Sequence, residues 1–176
     1  GAGVRGDLKA VWRAVLTDRE ALAPTDAKMG GKLREPVLRF VSWARTAGMK
    51  SASGAFEMFE TARADEGLAQ SPLRSPSVFN FFRPGYVPPH TAIGKAGKLA
   101  PEFQITTETS IAGYINFLQW SLRWGYKDVK PDYAAMLPIA HDGPAMVAWL
   151  NLHLAADQLS HQEASVLHRA LTTPCA

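Results

Sequence analysis

The chain has 176 residues, 47% hydrophobic and 20% charged, with one cysteine. This balance excludes disorder, collagen and coiled coil as the whole architecture, and a lone cysteine excludes both an internal disulfide framework and a thiolate-only metal cage. No apolar run approaches the ~20 residues that span a bilayer. Nineteen basic against sixteen acidic residues leave a net charge of +3. The cations are scattered from Arg34 through Arg74 to Lys130. Nucleic-acid binding gathers such charges into one stripe, so no nucleic-acid partner is expected.

The chain opens on Gly1 with neither an initiator methionine nor a basic-then-apolar signal stretch, which reads as a processed product or a partial chain. Asp7 is an N-cap for Leu8, Val11, Trp12 and Val15, whose spacing predicts a helix over about 7–17. Helix capping also accounts for the adhesion-like tripeptide Arg5-Gly6-Asp7. Ala23-Pro24-Thr25-Asp26 and Gly30-Gly31 mark a loop. A second helix is predicted over about 33–47, with Pro36 confined to its first turn and Val37, Phe40, Val41 and Ala44 on its apolar face. Gly48 closes it, and Glu35 and Arg39 stand at the i, i+4 spacing of a surface pair. A weaker helix is expected over about 54–63, carrying Phe56 and Phe59.

From 71 to 101 the character changes. Pro72, Pro76, Pro84, Pro88, Pro89 and Pro101 forbid long helices and central strands. A loop this long is either functional or packed down as a belt. Phe79, Phe81, Phe82 and Tyr86 suit the second role, as pegs onto the helices. Beside Arg74 and Arg83 they are also the best candidate binding surface, suited to stacking or cation–π contact with a sugar, a quinone or a partner chain.

The strongest helical pattern covers about 107–124. Ile111, Tyr114, Ile115, Leu118 and Leu122 form one face; Gly113, Phe117, Trp120 and Trp124 form another. Two apolar faces predict a central helix with contacts on both sides, and Gly113 admits a close backbone. Trp120 and Trp124 are read as core or subunit interface ahead of a carbohydrate platform, and join the binding candidates. Asp142-Gly143-Pro144 and the capping box of Ser160 with Glu163 open the two helices of a C-terminal hairpin. The class is therefore all-α, an irregular bundle of five to six helices with a long packed loop. Its regions are N-terminal helices (1–70), the Pro/aromatic belt (71–101), and the central helix plus hairpin (102–176), all within one globular unit.

No catalytic centre stands out. His90, His141, His153, His161 and His168 lack metal-site spacing, so no metal and no cofactor is expected. No Gly-x-Ser-x-Gly elbow is present, and Cys175 sits in a terminal tail. Glu102, Glu108, Asp128 and Asp132 do not single out a catalytic pair, and the basic run around Gly94 and Gly97 lacks P-loop context.

Val4-Arg5-Gly6-Asp7-Leu8-Lys9-Ala10-Val11, Gly31-Lys32-Leu33-Arg34-Glu35-Pro36-Val37 and above all Ser75-Pro76-Ser77-Val78-Phe79-Asn80-Phe81-Phe82-Arg83-Pro84-Gly85-Tyr86-Val87-Pro88-Pro89 carry a resemblance. With Ala100-Pro101-Glu102-Phe103-Gln104-Ile105 they resemble the C-terminal part of the bacterial family catalogued as domain of unknown function 1800. The resemblance implies a mainly helical, exported protein, periplasmic or extracellular. It also implies association with a sulfatase-like exported protein of the family numbered 1501. It supplies no catalytic residues. Two functions follow as expectations. One is a structural or interaction module docking on a partner or on the remainder of its parent chain. The other is an exported hydrolase or accessory subunit acting on a polymer or a sulfate or phosphate ester, marked by a deep pocket with Arg34, Arg83, Glu108 or the histidines.

Overall fold

Helices dominate the computed structural model, which describes residues 3–23, 33–58 and 60–172. They are α1 (Leu8–Thr17), α2 (Arg19–Leu22), α3 (Pro36–Thr46), α4 (Ala92–Lys95), α5 (Glu108–Trp124), α6 (Gly143–Ala155) and α7 (His161–Thr172). A small ribbon pairs β1 (Lys50–Ser51) antiparallel with β2 (Val129–Lys130), Ser51 opposite Val129. The fold is all-α, an irregular helical bundle. Of the predicted loop, Pro24, Thr25, Asp26, Gly30 and Gly31 lie outside the described residues, as do Phe59 and Cys175.

The helix starts follow from local side-chain chemistry. Asp7 accepts from the Ala10 N–H at 3.1 Å, and Asp142 from the Ala145 N–H at 3.0 Å. Thr107 and Ser110 cap α5 reciprocally. The Ser160 box forms as expected: its N–H donates to Glu163 at 2.8 Å, and the Glu163 N–H returns to the Ser160 hydroxyl at 3.3 Å.

The core lies between α3 and α5. Phe40, Trp43, Ala44 and Ala47 meet Phe117, Leu68 and Met136, with α6 adding Met146, Trp149 and Leu154 at the margin. Phe40 packs its ring 5.2 Å from Phe117, tilted by 60°, the edge-on geometry that aromatic quadrupoles favour. α5 buries Ser110, Gly113, Phe117 and Ser121, and Tyr114 and Leu118 of its other face pack part-buried against the core. Both expected faces therefore make contacts, each through only part of its residues. Ile111, Ile115 and Leu122 on one face and Trp120 and Trp124 on the other are exposed. Gly113 is where the segment before the belt crosses, and a Cβ there would stand 2.2 Å from the Ala64 carbonyl oxygen.

The helix expected over 54–63 does not form. Phe56 and Glu60 take positive φ values of 49° and 66°. The Ser51 and Ser53 hydroxyls accept from the Phe56 and Ala55 N–H groups, each at 3.1 Å. Asp128 in turn accepts from both hydroxyls, at 2.5 and 2.6 Å. Side-chain oxygens have taken the bonds a helix would have used. The Ser51 and then the Ser53 hydrogen bonds hold the Asp128 carboxyl down at about 2.

Residues 60–71 form a hook with no regular structure, yet Thr61, Leu68, Gln70 and Ser71 are almost wholly buried. The Leu68 N–H donates to the Thr61 carbonyl at 2.8 Å, and the Thr61 hydroxyl to the Gln70 carbonyl at 2.7 Å. Gln70 then accepts from the Val37 N–H at 3.2 Å, satisfying a donor in the first turn of α3, and donates to the Glu35 carboxylate. Glu35 is thus engaged by the hook, and Arg39 lies 4.4 Å over the Tyr114 ring. The surface pair expected between them is replaced by these two contacts.

Candidate functional site

The belt is built from turns around α4. Its bends are fixed at a few points: the Arg83 N–H donates to Gln104 Oε1 at 2.7 Å, and the Ala100 N–H to the Tyr86 carbonyl at 2.9 Å. The Thr91 hydroxyl donates to the Pro88 carbonyl at 2.9 Å, and α4 comes so near that a Cβ on Gly94 would lie 2.0 Å from that oxygen. At the belt's outer edge the Asn80 N–H closes a turn onto the Ser77 carbonyl at 3.1 Å, with Asn80 at φ 68°.

This turn gathers four of the candidate residues. Phe79, Phe81, Phe82 and Arg83 line an open cleft of about 600 Å³ with Pro76 and Gln104. Phe81, Phe82 and Tyr86 are half-buried, whereas Phe79, expected as a peg onto the helices, is 63% exposed. The cleft offers ring faces, the amides of Asn80 and Gln104 and a guanidinium. Its one hydroxyl, Ser77, accepts from the Phe79 N–H at 3.2 Å.

The residues of that turn are also the most distinctive stretch of the sequence. The family model described as Protein of unknown function (DUF1800) matches residues 2–175. The chain belongs to this family. No curated protein and no solved structure matches it.

The other candidates of this DUF1800 chain fall elsewhere. Arg74 lines a second cleft of about 580 Å³ with Glu60, Arg63 and Tyr126. There Arg63 forms a fork to Asp65, at 2.7 Å, and reaches Glu66 at 2.9 Å. The hydrogen bond from Arg63 holds the Asp65 carboxyl below the usual carboxylate range. These groups are solvent-exposed, so the pairs contribute little to stability. Tyr86 lines neither cleft. Trp120 and Trp124 stand on the outside of α5 with ring centroids 6.3 Å apart, and Arg123 lies 4.8 Å over Trp124. The sequence candidates other than Tyr86 thus divide among three surfaces.

A third cavity holds Arg34, one of the residues expected in a pocket, beside Arg39, which was not. Arg34 and Arg39 line it with Trp43 and Tyr114, in a volume of about 230 Å³. Arg39 was visible only as half of a helix-surface pair, and Tyr114 only as part of an apolar stripe. Their meeting needs the packing of α3 on α5. His153 stacks on Trp149 at 4.1 Å with its Nδ1 2.8 Å from the Trp149 carbonyl. Among the described residues, no three His, Cys, Asp or Glu side chains are grouped to hold a metal ion. No helix among the described residues is long and apolar enough to cross a membrane.

Proposed function

We propose that this DUF1800 chain is a helical interaction module, the C-terminal part of a larger exported protein, whose uncovered helix faces dock on a partner chain or on another part of the same polypeptide. The observation that carries the reading is α1. The helix is capped and strongly two-sided, yet it buries no residue. Leu8, Val11, Val15 and Leu16 are all more than half exposed, and Trp12 is 62% exposed. An apolar helix face of this kind marks a protein-interaction site when it is contiguous. Trp120, Trp124 and Phe79 add exposed rings on other surfaces. The proposal includes a periplasmic or extracellular location and a sulfatase-like exported neighbour, for which the support is the family resemblance. The hydrolase reading asks for a deep pocket with Arg34, Arg83, Glu108 or a histidine; Arg83 and Arg34 do line cavities, and neither Glu108 nor a histidine lies in the walls of the three described.

The test uses the purified chain, the neutral dye Nile red and light scattering after size exclusion. Dye fluorescence should rise strongly on the chain and fall on Val11→Glu/Trp12→Glu. A strictly monomeric chain with no dye response would count against the module.

A further inference from the structure

We propose that the cavity between α3, α5 and α6 binds a small amphipathic carboxylate, an acyl or aryl acid about the size of octanoate, with its head on Arg39 and Arg34 and its hydrocarbon against Trp43, Leu118 and Leu122. Three independent features of the cavity lead there: its charge, its walls and its size.

The charge is uncompensated. Two guanidiniums line the cavity and no acidic side chain does. Arg39 Nε is buried with no hydrogen-bond partner, although its guanidinium is held 4.4 Å over the Tyr114 ring. Glu35, one helical turn earlier and the natural partner, accepts from Gln70 instead. Burying a charged donor without a partner is costly, and the planar fork of a guanidinium matches the two oxygens of a carboxylate. Arg34 is tethered beside it, its Nη1 donating to the Ser42 hydroxyl at 3.2 Å. Tyr114 stands on the same wall, and burial raises its phenol above the ordinary value of 10, so at neutral pH it keeps its proton.

The remaining walls are hydrocarbon. Trp43 is buried, and Leu118, Leu122 and Leu154 complete the lining. A bare inorganic anion would leave that surface unused. The volume, about 230 Å³, lies below the range of drug-sized sites, which selects a small ligand. An apolar body with one anionic head satisfies all three features. The site is separate from the α1 face, so it stands or falls independently of the docking proposal.

Isothermal titration of the purified chain with sodium octanoate, octanol and sodium acetate at neutral pH tests it. Octanoate should bind one to one, at least about tenfold more tightly than octanol, since octanol lacks the charge-assisted hydrogen bonds. Acetate, which has the head alone, should give no measurable heat. Arg39→Met should weaken octanoate at least about tenfold and leave octanol binding unchanged. Arg34→Gln, at an exposed position, should weaken octanoate several-fold with the far-ultraviolet spectrum intact. Octanoate binding no better than octanol, no octanoate binding at all, or octanoate binding indifferent to both arginine variants would overturn the proposal. If Arg39→Met does not fold, the octanoate-to-octanol ratio on the unaltered chain and the Arg34→Gln variant still decide it.

Discussion

Helix α1 and the hook at 60–71 invert the usual relation between regularity and burial. α1 has a cap, a clean apolar face and ten residues of unbroken helix, and it buries none of them. The hook has no helix or strand, yet Leu68 is 1% exposed and Gln70 is 3% exposed. The difference lies in where the backbone and polar groups find partners. In α1 every bond is internal, so the helix is complete without touching the bundle. In the hook, the partners are Thr61, Gln70 and the first turn of α3, so its order exists only in the packed state. Regular structure here marks what is self-sufficient, and irregular structure marks what is fastened.

Substitutions on the fastened side should do the most damage. Phe117→Ala removes a ring that packs on Phe40 and on Tyr126, 5.3 Å away. It should cost about 3–5 kcal/mol in urea unfolding. Gly113→Ala brings a Cβ against the Ala64 carbonyl, which is backbone and has little room to yield. A loss of about 1–3 kcal/mol is expected, with faster exchange of the Leu68 and Ala69 amides as the hook lifts. A loss as small as that of an ordinary surface substitution would show that the hook is not seated on α5.

The Asp128 clamp gives a pH-dependent test of the fastened side. Its carboxyl is held at about 2, below the ordinary 3.8. A depressed carboxyl contributes stability above its unfolded value and loses it as pH falls through the folded one. The stability advantage of the unaltered chain over Asp128→Asn should therefore shrink between about pH 4 and pH 2 and be level above that window. A constant difference across the window would contradict the clamp. The smallest effect belongs to α1. Val11→Glu or Trp12→Glu should change urea stability by no more than about 0.5 kcal/mol, the range of ordinary surface substitutions. A larger loss would mean that the helix is fastened after all.

The sequence made the helices legible because capping and apolar spacing act over three or four residues. Asp7, Thr107, Asp142 and Ser160 sit where such chemistry puts them, and Gly113 announced a close backbone that the hook supplies. What stayed hidden depends on distance along the chain. The Asp128 clamp on Ser51 spans 77 residues, and Gln70 reaches Val37 across 33. Those bonds turned an expected helix at 54–63 into turns. The two-sided pattern of α5 held for Gly113 and Phe117 on one face and for the part-buried Tyr114 and Leu118 on the other, while Ile111, Ile115, Trp120 and Trp124 stayed exposed. For the candidate sites, the aromatic run of the belt was plain, and its rings do share a cleft with Arg83. Arg74, Trp120 and Trp124 share its chemistry without sharing its place. Arg34 was named as a pocket residue, but the part of Arg39 in that cavity was illegible because an arginine four residues from a glutamate reads as paired.

Native-state hydrogen exchange on the monomeric chain tests the central contrast most directly. The account predicts that the amides of Leu68 and Ala69, which donate to the Thr61 and Arg63 carbonyls at 2.8 and 3.2 Å, exchange only with global unfolding. The amides of α1 should exchange orders of magnitude faster by local fraying, because that helix buries no residue. Protection in α1 equal to that at Leu68 would contradict the account, since it would show the helix already docked.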